Sequence, residues 1–215
     1  MATLETWSLW LHIVAGTVAV LAGVGALVTS KGGWRHRQAG KAFLVSMGVV
    51  VVTVVVRVGI HPTSFRGILT LVAIFSGYLA LLGYRTLSRK RPPDTAHRLD
   101  WVAAGCVILA CFSLGLWGAI WVLGGRSFGI VMMVFGGIGV AFGILDIRIF
   151  QADESGDWMV SHLQRMIGAF IATVSAVSAV NLTPMLGIAA WLWPTALGVP
   201  LIYYWSNKYS TSSTR

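Results

Sequence analysis

Acidic side chains are scarce in this chain. Seven Asp and Glu stand in 215 residues, and only 11% of all residues are charged, whereas 56% are hydrophobic. A soluble domain carries about 25% charged residues, so too few are present here to cover a water-facing surface. Long polar stretches are missing as well. The connections between apolar runs reach about a dozen residues at most, which leaves no length for a separate soluble domain. The motifs of common chemistries do not occur: there is no G-x-S-x-G, P-loop, dinucleotide glycine fingerprint or C-x-x-C. The last apolar run holds no lysine, which excludes a retinal Schiff base of the rhodopsin kind, and no series of intramembrane carboxylates points to a proton pump. Cysteine is limited to Cys106 and Cys111. Five residues apart on one helix, they face different directions, so a disulfide between them is excluded and both read as small buried hydrophobes.

What the chain has instead is apolar length. Seven runs, at roughly 7–28, 42–60, 66–84, 101–123, 128–149, 160–181 and 186–205, approach the ~20 residues needed to cross a hydrocarbon core of about 30 Å. Barrel strands alternate in polarity over about ten residues and these runs do not, so they predict helices. The first run is not read as a cleaved signal, because no Lys or Arg precedes it and Glu5 stands where a basic segment belongs. The expected architecture is an all-α integral membrane bundle of seven transmembrane helices. Residues 1–215 form one domain, ending in a short polar cytoplasmic tail at 206–215.

The basic residues predict the orientation. One set of connections carries Lys31, Arg35, Arg37, Lys41, Arg85, Arg89, Lys90, Arg91, Arg98, Arg148 and Arg165, joined by Lys208 and Arg215 of the tail. The other carries only Arg57, Arg66 and Arg126. Thirteen against three predicts N-out and C-in under the positive-inside rule. The net charge of +9 is then a cytoplasmic rim facing anionic lipid rather than a nucleic-acid surface. Trp7, Trp10, Trp117 and Trp121 fall at outer ends, and Trp34, Trp158, Tyr203, Tyr204 and Trp205 at inner ends, as interfacial aromatics do.

Small residues at four-residue spacing, Ala15-Ala19-Gly23, Gly139-Gly143, Ala172-Ala176 and Ser175-Ala179, predict close helix packing. Packing within the chain is the expectation. A homodimer seam or a partner membrane subunit is the other reading. A parallel repeat is also visible: a Gly-containing helix, a basic inner loop, then a histidine-led helix, three times, with the seventh helix unpaired. The third unit differs by its acidic loop Asp153-Glu154-Ser155-Gly156-Asp157.

His36, His97 and His162 begin the second, fourth and sixth runs on the same face, each with an arginine close behind (Arg37, Arg98, Arg165). Convergent, they would hold Zn²⁺ with a position left for water, or two would ligate a haem. Otherwise these His-Arg pairs, through Arg37 and Arg98, touch lipid phosphate. Asp146 and Arg165 lie inside the membrane-spanning length, where ionisable groups normally face a partner. They are expected to form an ion pair, or else to serve a proton or substrate path. Asp100, on the helical face of His97, is a candidate to orient that imidazole or to favour the helix start. On the outer side His12, Arg57, His61 and Asn181 form a candidate polar cluster.

These residues carry a resemblance. His12-Ile-Val-Ala-Gly16, Trp34-Arg-His36-Arg-x-x-Gly40-Lys, His162-x-x-Arg165-Met166-x-Gly168 with Asn181, and Trp193-Pro194-Thr195 look like an uncharacterised family of small bacterial multipass membrane proteins. Nearly the whole chain is covered. The middle unit departs from the His-x-x-x-Gly form, with Trp101 at the fourth position after His97. The resemblance implies location in the bacterial cytoplasmic (inner) membrane and a helical fold, without an activity. Three functions stay open: a metal- or haem-holding protein, a transporter with a polar path through Asp146, Arg165 and His12, and an accessory protein gripping anionic lipid or a partner.

Overall fold

The structure, a computed structural model, describes residues 2–89, 95–152 and 158–210. Every apolar run is helical: α1 (Ala2–Val28), α2 (Trp34–Ile60), α3 (Ser64–Arg85), α4 (Arg98–Leu123), α5 (Gly129–Ala152), α6 (Trp158–Leu186) and α7 (Ala189–Ser210), with a 3₁₀ turn at Thr86–Arg89 after α3. No strand occurs among the described residues. Six helices, α1 to α6, are long and apolar enough to cross a membrane. The seventh is not among them, because Pro194, Pro200 and the row of Trp and Tyr from Trp191 to Trp205 dilute its aliphatic content.

Helix starts are where the observed bounds depart most from the apolar runs. α2 begins at Trp34, eight residues before the run at 42, because Arg and Lys are good helix formers and an interfacial first turn needs no apolar side chains. The expected tail is shorter than its sequence limits. Ser206 to Ser210 continue α7, Ser206 is buried, and residues 211–215 lie outside the described residues. So do Lys90, Arg91 and the acidic loop Asp153–Asp157.

α3 is the central helix. It packs against α2, α4 and α6, while α1 lies on α2, α5 on α4 and α7 on α6. The closest approaches are made by glycines, as bilayer packing requires where no hydrophobic effect draws helices together. A methyl group on Gly136 would meet the backbone of Cys111 and Gly115 at 2.7–2.8 Å, one on Gly139 would meet Cys111 Sγ, and one on Gly143 would meet Ile108. The stripe on α5 is thus an intrachain seam with α4. The stripe on α1 is intrachain too: Ala15 and Ala19 are buried, and Gly23 abuts the Phe170 ring of α6. Cys111 is buried in the α4–α5 seam and Cys106 is exposed, both as free thiols. At the α1–α2 and α4–α5 turns Gly32 and Gly125 hold φ of +75° and +77°, a conformation that costs an L side chain about 1 kcal/mol or more.

The helix ends gather into two rims. At one, α1, α3, α5 and α7 finish and α2, α4 and α6 begin. His36 reaches Ala26, Arg85 reaches Asp100, His162 reaches Gly83, Arg165 reaches Asp146 and Gln164 reaches Ser206. This is the basic rim. At the opposite rim Trp191 of α7 is buried edge-on against Phe65 and Phe128, and Phe128 meets Trp121. The Trp191 indole N–H donates to Thr183 Oγ1 at 3.0 Å. α5 and α6 meet through side chains rather than along their length. The third expected repeat unit is therefore not a hairpin like α1–α2.

Candidate functional site

The basic rim holds the chain's concentration of buried charge. Asp146 in the last turns of α5 is fully buried, and Arg165 near the start of α6 is 3% exposed. One guanidinium edge serves the pair: Nε and one terminal nitrogen donate to the two oxygens of Asp146, the Nε contact at 3.3 Å. The other terminal nitrogen donates to the Ser161 carbonyl at 3.0 Å. The Tyr78 hydroxyl of α3 donates to Asp146 Oδ2. The expected Asp146–Arg165 pair is present, with Tyr78 as a third member that the charge pattern alone does not reveal. An isolated tyrosine in the apolar run of α3 was the available signal, since a buried phenol seeks a partner.

Asp100, 1% exposed, forms the second buried carboxylate. Arg85 holds both its oxygens, Oδ2 at 3.1 Å, and Arg89 lies 3.3 Å from Oδ2. Asp100 Oδ2 also accepts the backbone N–H of His97 at 2.9 Å, while His97 Nδ1 accepts from Leu99 N at 3.3 Å. This is a reciprocal capping box with histidine in the place usually held by serine or threonine. Asp100 therefore does not orient the imidazole; it caps the helix and anchors two arginines. Arg85 was the overlooked partner, legible only as a cation ending one run opposite an acid starting the next.

The three rim histidines do not converge. Among the described residues no group of three or more His, Cys, Asp or Glu is placed to hold a metal ion, so the shared zinc site expected of His36, His97 and His162 is not formed. Each ring is engaged at a helix end instead. His36 Nδ1 lies 3.0 Å from the Ala26 carbonyl and His162 Nδ1 lies 2.7 Å from the Gly83 carbonyl. A carbonyl only accepts, so the imidazoles donate. Both serve last-turn carbonyls that an α-helix leaves without an internal donor. Lys31 does the same, with Nζ 2.6 Å from the Leu27 carbonyl and 3.1 Å from that of Ala26, and its partial burial there holds the ammonium below the usual lysine range. Gly83 pairs with His162 rather than with the sequentially nearer His97, so His97 is the odd member of the three.

Arg37 and Arg98 are exposed, as are Arg35, Lys41 and Arg148. Toward the opposite rim the candidate outer residues divide. His61 Nε2 lies 3.1 Å from Glu5, which also receives Arg66 at 2.8 Å; Arg66 in turn donates to the Arg57 carbonyl at 3.1 Å. This ties α1 to the α2–α3 corner. His12 donates to Thr53 Oγ1 at 2.9 Å, since the Thr53 hydroxyl proton is directed at the carbonyls of Val49 and Val50. Asn181 donates to its own helix at Val177 and does not join the group. Arg57 keeps one buried terminal nitrogen with no hydrogen-bond partner, as does the buried Ser175 hydroxyl.

Comparison with family models, with curated proteins and with solved structures finds no match to this chain.

Proposed function

We propose that this chain is a seven-crossing protein of a bacterial cytoplasmic membrane, N-out and C-in, acting as a non-catalytic accessory protein whose basic rim binds anionic lipid headgroups. One observation carries the reading. The rim histidines and Lys31 are engaged with helix ends, while Arg35, Arg37, Lys41, Arg98 and Arg148 on that rim are exposed. Residues expected to do chemistry hold the scaffold, and the neighbouring cations are left to meet the headgroup layer, where each contributes about 1 kcal/mol of attraction to an anionic surface.

A seventh crossing is supported by α7 running the length of α6. Ser206 meets Gln164 near the basic rim, and Trp193 and Trp191 meet Ser178 and Thr183 toward the other. At 1.5 Å per residue, 22 residues extend about 33 Å. The charge bias supports the direction of insertion, and the resemblance to small bacterial multipass proteins supports the location.

The test has two arms. In a background lacking Cys106 and Cys111, a thiol at Ser127→Cys is expected to react with an impermeant reagent applied from outside, and one at Ser30→Cys only after permeabilisation; the reverse pattern overturns the orientation. Phosphorus analysis of the protein purified from anionic membranes is expected to show retained phosphatidylglycerol, lost when Arg35, Arg37, Lys41, Arg98 and Arg148 are all changed to Gln. Equal retention by both proteins overturns the lipid reading.

A second reading has one observation in its favour. The Nδ1–H of His36 on a carbonyl fixes its ring with Nε2 as an acceptor, the arrangement typical of metal-ligating histidines. A haem Soret band abolished by His36→Ala would support this reading against the first.

A further inference from the structure

Among the described residues the charged network at the basic rim does not balance. Three guanidiniums, Arg85, Arg89 and Arg165, meet two carboxylates, Asp100 and Asp146. Asp146 is occupied by Arg165 and Tyr78. Asp100 is occupied by one edge of Arg85, through Nε and Nη2, and by the His97 N–H. Arg89 comes within 3.3 Å of Asp100 through a terminal nitrogen that is buried yet makes no hydrogen bond, and its side chain is 11% exposed. Arginine does not shed its proton, so the uncompensated charge cannot be removed by titration. The guanidinium is held over the face of Phe150, 4.8 Å from the ring centre, which fixes its plane. It also ends the 3₁₀ turn after α3, at the basic rim.

We propose that Arg89 anchors a site for a singly charged phosphate group, the phosphodiester of an anionic lipid headgroup or free inorganic phosphate. The inference rests on the lipid-binding reading and assigns it a specific site. One negative charge closes the three-to-two imbalance. Phosphate presents several acceptor oxygens to a planar donor fork, a pairing that Arg makes bidentately. Carboxylate partners within the described residues are already taken, and the exposed cations Arg37 and Arg98 belong to the outer surface of the rim rather than to this buried position.

The experiment uses the full-length protein in a neutral detergent, with the thermal unfolding midpoint recorded against added phosphatidylglycerol, phosphatidylcholine, or inorganic phosphate with chloride at matched ionic strength. Phosphatidylglycerol is expected to raise the midpoint where phosphatidylcholine does not. Arg89→Gln is expected to weaken the apparent affinity roughly ten- to a hundredfold, the loss of a charged hydrogen-bonded contact. Arg89→Lys, which keeps the charge and safeguards folding, is expected to weaken it less, and Arg126→Gln, an exposed cation on the opposite rim, to leave it near the wild-type value. A shift reproduced by inorganic phosphate and removed by Arg89→Gln supports free phosphate as the ligand; one seen only with phosphatidylglycerol supports the headgroup.

Wild-type affinity in both Arg89 variants, or a shift lost in Arg37→Gln/Arg98→Gln but kept in Arg89→Gln, overturns the site while leaving the lipid reading in place. A wild-type protein that responds to no phosphate overturns both. The carboxylates of Asp94, Asp153, Glu154 and Asp157, outside the described residues, supply the remaining arm. If neutralising all four destabilises the phosphate-free protein and Arg89→Gln restores it, the chain balances Arg89 itself and the proposal falls.

Discussion

His162 of α6 donates to the carbonyl of Gly83 in the last turn of α3, 2.7 Å away, at a point where α6 side chains press directly on the α3 backbone. A methyl group on Gly83 would lie 2.9 Å from Met166 Sδ and 3.1 Å from Arg165 Cβ. The missing side chain and the histidine are two parts of one joint: the glycine permits the approach, and the imidazole satisfies the carbonyl it brings near.

Gly83→Ala is expected to destabilise the protein by about 1–3 kcal/mol, the usual cost of overpacking. Gly16→Ala, with nothing within 4 Å of the added methyl, is expected to be neutral or slightly stabilising, since alanine is the better helix former. Reversible unfolding of the two variants in one mixed-micelle system compares them directly; equal midpoints would contradict the close approach.

Removing the donor from either helix-end histidine is expected to cost about 1 kcal/mol, with His36→Ala and His162→Ala both lowering the unfolding midpoint. Gln at the same positions can still donate to a carbonyl and is expected to recover part of the loss. A metal ligand would not show that rescue, so the Ala/Gln comparison separates the structural role from a ligating one.

Asp146→Ala leaves Arg165 charged and buried without its partner, and is expected to cost about 3–5 kcal/mol. Replacing both residues by leucine is expected to cost clearly less than the sum of the single changes, because the uncompensated charge is gone. Tyr78→Phe removes one donor to a charged carboxylate and is expected to cost about 1.5–3 kcal/mol. A double-mutant cycle of Asp146 and Arg165 that is additive within ~0.5 kcal/mol would refute the pairing.

At the α4–α5 seam, Gly136→Val is expected to be more damaging than any of these substitutions outside the Asp146–Arg165 pair, since its side chain would meet backbone rather than a movable side chain. Failure to recover folded protein, with Gly137→Val recovered normally, is the expected expression phenotype; Gly137 has open space beside it.

The helices were legible because crossing a bilayer demands one property, sustained apolar length, and the runs ending at Val28, Ile60, Leu123 and near Arg85 declare it. The first turns of α2 and α4 were less legible: Arg98-Leu99-Asp100 is held by the His97–Asp100 capping box, whereas Trp34-Arg35-His36-Arg37 has no side-chain cap and relies on its helix-forming Arg residues. Within the site, Asp146 and Arg165 announced themselves as charges inside apolar runs. Tyr78 and Arg85 did not, because the relative rotation and depth of α3 against α5 and α4 is set by glycine seams and aromatic packing distributed over the bundle. Convergence of His36, His97 and His162 was unreadable for the same reason. Each lies at a helix end where a backbone carbonyl or amide competes for the ring, and no local spacing records which partner wins.

The Asp146–Arg165 bond also bears on how the chain is made. Tyr78 precedes Asp146 by 68 residues and Arg165 follows it by 19, so synthesis from the N-terminus delivers the phenol first, the carboxylate second and the guanidinium last. α5 is therefore made with its aspartate partnered only by Tyr78 until α6 follows, and a charged aspartate adds to the cost of insertion, by about 2.5–3.5 kcal/mol at a helix centre and less near a helix end such as this one. Asp146 lies in the last turns of α5, so it is among the last residues of that helix to be synthesised. Biogenesis of α5 and α6 is thereby coupled, and a chain truncated after Ala152 should release its last helix from the membrane more readily than one continued through Leu186.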